Sequence, residues 1–162
     1  MNDATNPHTE LIITFKPRHS MRLIVMGTPI VKKNNQKVSF RGGKPRKYNT
    51  DAYTTWHDMA MKQIERISLG TYNRAFRPSK KLGAKVKATY ETPVNLQCIF
   101  YMPDLRIVDL SALYEGIQDL LVEVGILDDD NWKIVASHDG SRVKLDRAYP
   151  RIDVTITDAD IS

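Results

Sequence analysis

The sequence predicts an α/β (α+β) domain, with a mixed β-sheet of about four to six strands and two main helices. Three observations carry this. Residues 94–101 alternate strictly, with Val94, Leu96, Cys98 and Phe100 on one side and Asn95, Gln97, Ile99 and Tyr101 on the other, which is a strand with one buried face. Leu110, Leu113, Ile117, Leu120, Leu121 and Val124 recur at helical spacing between Asp109 and Gly125. Short β-branched segments recur toward both ends of the chain, at residues 22–29 and 152–156.

Taken in order, residues 1–9 are polar and predict disorder. Residues 11–15 form a short apolar run that fits an extra strand. Residues 1–20 are therefore an N-terminal extension, or they lie ahead of the natural start, and residues 21–162 form the domain. Residues 22–29 read as the first strand of that domain, limited by Pro29. Residues 31–48 then carry Lys32, Lys33, Lys37, Arg41, Lys44, Arg46 and Lys47 and no acid. Gly42 and Gly43 place a turn between two extended arms, and Phe40 and Tyr48 interleave with the cations. Such a hairpin suits a polyanion: the cations neutralise phosphates and an aromatic ring stacks on an unpaired base.

Thr50 is placed to cap a helix over 51–69, with Gly70 as its stop. Its apolar side is Ala52, Trp56, Met59, Ala60, Gln63, Ile64 and Ile67, and Trp56 in that stripe is a core residue. His57 lies off the stripe and is assigned no role. Residues 72–92 are basic again and read as a long loop or loose hairpin, with Lys80 and Lys81 as candidates for a second nucleic-acid contact. Beyond the second helix, strands are expected over 132–136, 143–145 and 152–156, with turn residues at 137–141, Pro150 between the last two strands, and an acidic tail from 158.

Residues 104–130 stand apart in charge. They hold eight acids (Asp104, Asp109, Glu115, Asp119, Glu123, Asp128, Asp129 and Asp130) and one cation, Arg106. The whole chain has a net charge of +5 and a pI near 9.3. An acidic cluster within a basic chain suits a polyanion held on basic surface above carboxylates that bind a divalent metal. Asp109 is also a good N-cap, its carboxylate able to accept a free N–H of the first turn. An aspartate run after a helix also serves as a solvated turn. Arg106 either touches a phosphate or pairs with Asp104. A helix of about fifteen residues is roughly 22 Å long. Residues 128–130 must therefore fold back toward Asp109, or serve another subunit's site, if the two are to share one ion.

Several chemistries are excluded. One cysteine, Cys98, leaves no intramolecular disulfide and no cysteine zinc cluster. The four histidines (His8, His19, His57 and His138) are scattered, without zinc-ligand spacing. Neither a glycine-rich phosphate loop nor a nucleophile elbow occurs. No apolar run reaches the ~18 residues of a membrane span and no signal peptide is evident, so the expected location is the cytoplasm.

Met102-Pro103-Asp104, then Asp109-Leu110, an amphipathic helix ending at Gly125, and Asp129-Asp130 before an apolar strand together resemble the RusA family of Holliday junction resolvases. The resemblance spans about residues 22–157 and is closest over 101–135. It implies a dimeric, magnesium-dependent endodeoxyribonuclease that resolves four-way DNA junctions by paired nicks, with manganese as a substitute metal and no organic cofactor. The first family aspartate falls on Asp109 and the Asp-Asp pair on Asp129 and Asp130, of which Asp130 is the catalytic member. The second family aspartate falls on Ser111, the asparagine on Ala112, and an assisting lysine near Glu115. Serine is a poor magnesium ligand. Glu115, four residues on and on the same helical face as Ser111, is the candidate substitute. The expected metal set is therefore Asp109, Asp130, Asp129 and Glu115. The DNA-binding set is Lys32, Lys33, Lys37, Arg41, Lys44, Arg46, Lys47, Arg106, Lys80 and Lys81. The alternatives are a non-catalytic binder of branched DNA with the same fold, or a nuclease for other branched phage DNA intermediates.

Overall fold

Period-two burial builds the central sheet. In a computed structural model, which describes residues 12–15, 20–32, 35–76, 85–88 and 90–161, the long strand β6 (Val94–Met102) buries every second side chain. It pairs antiparallel with β9 (Arg151–Asp158), and β9 pairs antiparallel with β2 (Met21–Met26), which also alternates. On its other side β6 meets β7 (Val135–Ser137) and β8 (Arg142–Leu145), both parallel to it. The result is a mixed five-stranded sheet with two helices, α1 (Asp51–Phe76) and α2 (Leu110–Val124). The fold class is therefore α+β. Two small sheets stand outside it: the hairpin β3 (Gln36–Arg41) with β4 (Lys44–Asn49), and β1 (Ile12–Phe15) parallel to β5 (Lys85–Ala88).

One apolar cluster joins sheet and helices. Leu23 and Val25, Leu96, Cys98 and Phe100, and Ile152, Val154 and Ile156 come from the sheet. Ile117, Leu120 and Leu121 of α2 and Tyr53, Trp56, Ala60 and Ile64 of α1 close over them. Full burial of each large side chain contributes roughly 1.5–3 kcal/mol. Burial also pushes the Cys98 thiol up to about 12, which fits its inert place in the core.

Several boundaries differ from those expected. The first domain strand ends at Met26, not 29, because Gly27 takes φ 110 and its N–H turns to the Pro150 carbonyl. Helix α1 does not stop at Gly70 but runs to Phe76. An internal glycine costs only about 1 kcal/mol relative to alanine, and the next proline is Pro78. Tyr53 replaces Ala52 and Met59 on its buried side. Residues 72–92 are not one long loop: they supply the end of α1, then β5, then the buried Tyr90, which bridges to Leu127. Residues 132–134 are turn rather than strand, because Asn131 accepts the N–H groups of Ile134 and Val135 and leaves Trp132 exposed. Residues 1–9 lie outside the described residues. Among the described residues no helix is long and apolar enough to cross a membrane.

Candidate functional site

Asp109 occupies the N-cap position of α2, with φ −68 and ψ 125. Its carbonyl accepts the Leu113 N–H at 3.2 Å, but its carboxylate makes no capping bond. The expected cap is thus one of backbone only. The exposed carboxylate remains available at the positive end of the helix dipole. Of the two positions where family residues are replaced, Ser111 is exposed and Ala112 is buried. The opposite end of α2 follows the expected form: Gly125 has φ 82, and its N–H caps the Leu121 and Val122 carbonyls.

Glu115 belongs to a longer stripe. Glu115, Asp119 and Glu123 succeed one another at four-residue spacing along α2, and Glu123 meets α1 through His57. The Tyr53 hydroxyl pKa is raised first by burial and then by Asp119, Glu123 and Glu115. Lys32, at the root of the basic hairpin, reaches Asp119 at 3.7 Å. His57, assigned no role from sequence, bridges the helices: Nε2 lies 2.9 Å from Glu123 Oε2, and Nδ1 lies 3.6 Å from Asp58.

The aspartates after α2 divide their work. Asp128 donates its N–H to the Tyr90 carbonyl at 3.1 Å, which fixes the start of the turn. Asp129 Oδ1 accepts the N–H groups of Asp130 at 2.6 Å and Asn131 at 3.3 Å. Its pKa falls because Asn131 and Asp130 donate to its charged form. Asp130 moves the other way. A hydrogen bond with Asp129 raises its pKa most, and slight burial, the Asp129 charge and the Asp119 charge add to the rise. Asp129 therefore shapes the turn, and Asp130 is the member exposed to neighbouring carboxylates.

Asp129 first, and Asp119 least, are the carboxylates that raise the Asp130 pKa. Asp109 precedes Asp119 by ten residues, about 15 Å along the helix axis. Among the described residues no three histidine, cysteine, aspartate or glutamate side chains form a set that could hold a metal ion. Hydrated magnesium needs only one or two carboxylates and keeps several waters. Asp119 and Asp130 are two such carboxylates, near enough for the Asp119 charge to add to the rise of the Asp130 pKa. Asp119 is legible in the sequence as the next residue of the Glu115 stripe, a signal that the expected metal set passes over.

The basic segment forms the expected hairpin. Gly42 and Gly43 take φ 61 and 75, which a two-residue turn between twisted strands requires. Lys37, Arg41, Lys44, Arg46 and Lys47 are all exposed, and among the described residues none is ion-paired. The root is fixed: Asn35 donates to the Val31 carbonyl at 2.9 Å, and the Thr50 hydroxyl bonds Asn35 at 3.2 Å. Lys33, Lys80 and Lys81 lie outside the described residues. Arg106 pairs with Asp104, with Nη2 2.8 Å from Oδ2 and Nε 2.9 Å from it. The pairing lowers the Asp104 pKa and raises that of Arg106.

A cleft of ≈ 470 Å³ opens between the hairpin root and the residues just ahead of Asp109. Thr28, Ile30, Val31 and Asn35 line one side, and Arg106, Ile107 and Val108 the other. Basic hairpin, cleft and acidic α2 thus adjoin one another. Comparison of the sequence with family models and with curated proteins finds no match.

Proposed function

We propose that the protein is a divalent-cation-dependent endodeoxyribonuclease acting on branched DNA, with the four-way junction as its substrate. The observation that carries this reading is the adjacency of an exposed basic hairpin, unpaired among the described residues, to the acidic face of α2, tied through Lys32 and Asp119. Lys37, Arg41, Lys44, Arg46 and Lys47 hold the phosphate backbone by charge, which suits recognition of shape over sequence. Asp130 and Asp119 are the carboxylates from which one protomer would draw its magnesium ligands, and Asp109, about 15 Å from Asp119 along α2, would complete the site of the second copy in a homodimer, with Glu115 as a further candidate on the same helix. A divalent ion held there would supply activation of water and stabilisation of charge on the cleaved phosphate. Asp129 acts by holding the turn that presents Asp130. A symmetric homodimer places two such sites on a two-fold junction, as paired nicks need.

A second reading has its own support. The described residues contain no three-ligand metal set, and Ser111 replaces a carboxylate of the family pattern. Both favour a non-catalytic binder of branched DNA. Cleavage of a labelled mobile four-way junction, with and without magnesium, separates the two. Symmetric nicks that need the metal and fall at least about 100-fold in Asp109→Asn and Asp130→Asn support the nuclease. Binding without cutting in magnesium or manganese selects the binder. Neither binding nor cutting overturns both readings.

A further inference from the structure

The loop leading into Asp109 displays two aliphatic side chains to solvent. Leu105 is 80% exposed and Ile107 is 97% exposed. Apolar side chains this open are ordinary when scattered singly. These two flank one residue on a loop that is held in place. The Arg106 N–H donates to Asp104 Oδ1 at 3.0 Å, while its guanidinium grips the same carboxylate through Nε and Nη2. The Asp104–Arg106 pair shapes the loop locally and offsets the Asp104 charge; Asp104, Arg106 and Ile107 line the cleft, and Leu105 stands exposed between Asp104 and Arg106.

We propose that Leu105 and Ile107 form a wedge that opens a base step at the branch point, and that the adjoining cleft receives the displaced base. The inference rests on the DNA-binding reading above and adds how that site engages its substrate. Apolar side chains inserted between base pairs unstack them and bend the duplex. A displaced base needs flat apolar walls and a few polar groups at its edge. Ile30, Val31 and Val108 supply the first, and Thr28 and Asn35 the second. The cleft volume, ≈ 470 Å³, falls within the roughly 300–1,000 Å³ of small-molecule pockets. The occupant is set by charge. The hairpin that carries the exposed cations springs from Asn35, which lines the cleft, so a polyanion lying along them brings its bases toward the loop. Extraction costs least where pairing or stacking is already weakened, and a branch point offers a discontinuous backbone at which a step can open.

The test uses the full chain and a four-way junction carrying 2-aminopurine at the branch, with calcium in place of magnesium so that the strands stay intact. Wild type should bind and raise the fluorescence several-fold as the base unstacks. The Leu105→Ser/Ile107→Ser double variant should keep its thermal midpoint, its sedimentation coefficient and a junction affinity within about threefold, because backbone contacts dominate affinity. It should lose most of the fluorescence rise. A full rise in the variant overturns the wedge while leaving DNA binding intact. A fall in sedimentation coefficient also overturns it, by identifying the pair as a contact with a second copy of the chain. Failure of wild type to bind the junction removes the functional reading and the wedge with it.

Discussion

The β3–β4 hairpin and the β2–β9–β6 sheet use the same backbone bonding for opposite ends. Both are antiparallel with regular register. In the sheet, alternate side chains vanish into the core, and Leu23, Leu96, Phe100, Ile152 and Ile156 are almost wholly buried. In β3 every side chain is exposed, including Phe40 at 75%. An isolated two-stranded hairpin is marginal in water, and self-repulsion among its cations weakens it further. Fold stability thus comes from the sheet and helices. The hairpin's composition answers instead to what it meets in solution, which is why its charge pattern points to function and the alternation of β6 does not.

The largest expected effect breaks that comparison if it fails. Phe100→Ala removes a fully buried ring that also meets Tyr114 edge-on at 5.5 Å, and should cost about 3–5 kcal/mol. Phe40→Ala, the same chemical change on the hairpin, should alter stability by no more than about 0.5 kcal/mol. Urea unfolding of the two variants measures both. Similar losses would mean that the hairpin packs against the domain and that its exposure is not a free display.

Where burial decides structure, the residues announce it. The apolar spacing of α2, the alternation of β6 and the glycine pair of the hairpin each specify an element, because each depends on neighbours within one turn or one strand. Gly70 misleads for a related reason. A glycine stops a helix only where the chain adopts the left-handed conformation, and the residues beyond the glycine decide whether it does. The candidate site is harder to read. Asp109, Glu115, Asp129 and Asp130 are visible as acids. That Asp129 is committed to a turn while Asp130 is left to feel the charges of Asp129 and Asp119 depends on how the chain leaves α2. The bridge from His57 to Glu123 joins residues 66 apart in sequence, and no local pattern encodes it. The same holds for Lys32 and Asp119, whose pairing requires the hairpin root to lie against α2.

The hairpin's part in binding is the next effect in size. Replacing Lys37, Arg41, Lys44, Arg46 and Lys47 by serine should leave the urea midpoint nearly unchanged and weaken junction affinity sharply. Its signature is the salt dependence. The slope of log affinity against log salt should flatten by about 0.9 for every phosphate that the variant no longer neutralises. Titrations across sodium chloride concentrations give that slope. An unchanged slope would place the DNA contacts elsewhere on the chain and remove the functional half of the comparison.

The smallest effect sharpens the contrast between unpaired and paired charge. On the sheet, Arg151 reaches Asp146 at 2.8 Å and Asp153 at 3.2 Å, and its guanidinium lies 3.6 Å from the Tyr101 ring centre. Hydrogen bonds from Arg151 and then from the Tyr149 N–H hold the Asp146 carboxyl below the usual carboxylate range. A carboxyl whose pKa is depressed by folding contributes stability at pH values above its unfolded value, about 3.9. That contribution is lost as pH falls through the lower, folded value. Asp146→Asn should therefore show a reduced urea midpoint at pH 7, and its deficit relative to wild type should shrink as the pH is lowered past about 4. Neutralising the hairpin cations should give no such convergence, because none of them is ion-paired among the described residues. Equal Asp146→Asn deficits at pH 7 and at acid pH would mean that the loss is one of shape, and that the sheet's charges contribute to stability no more than the hairpin's do.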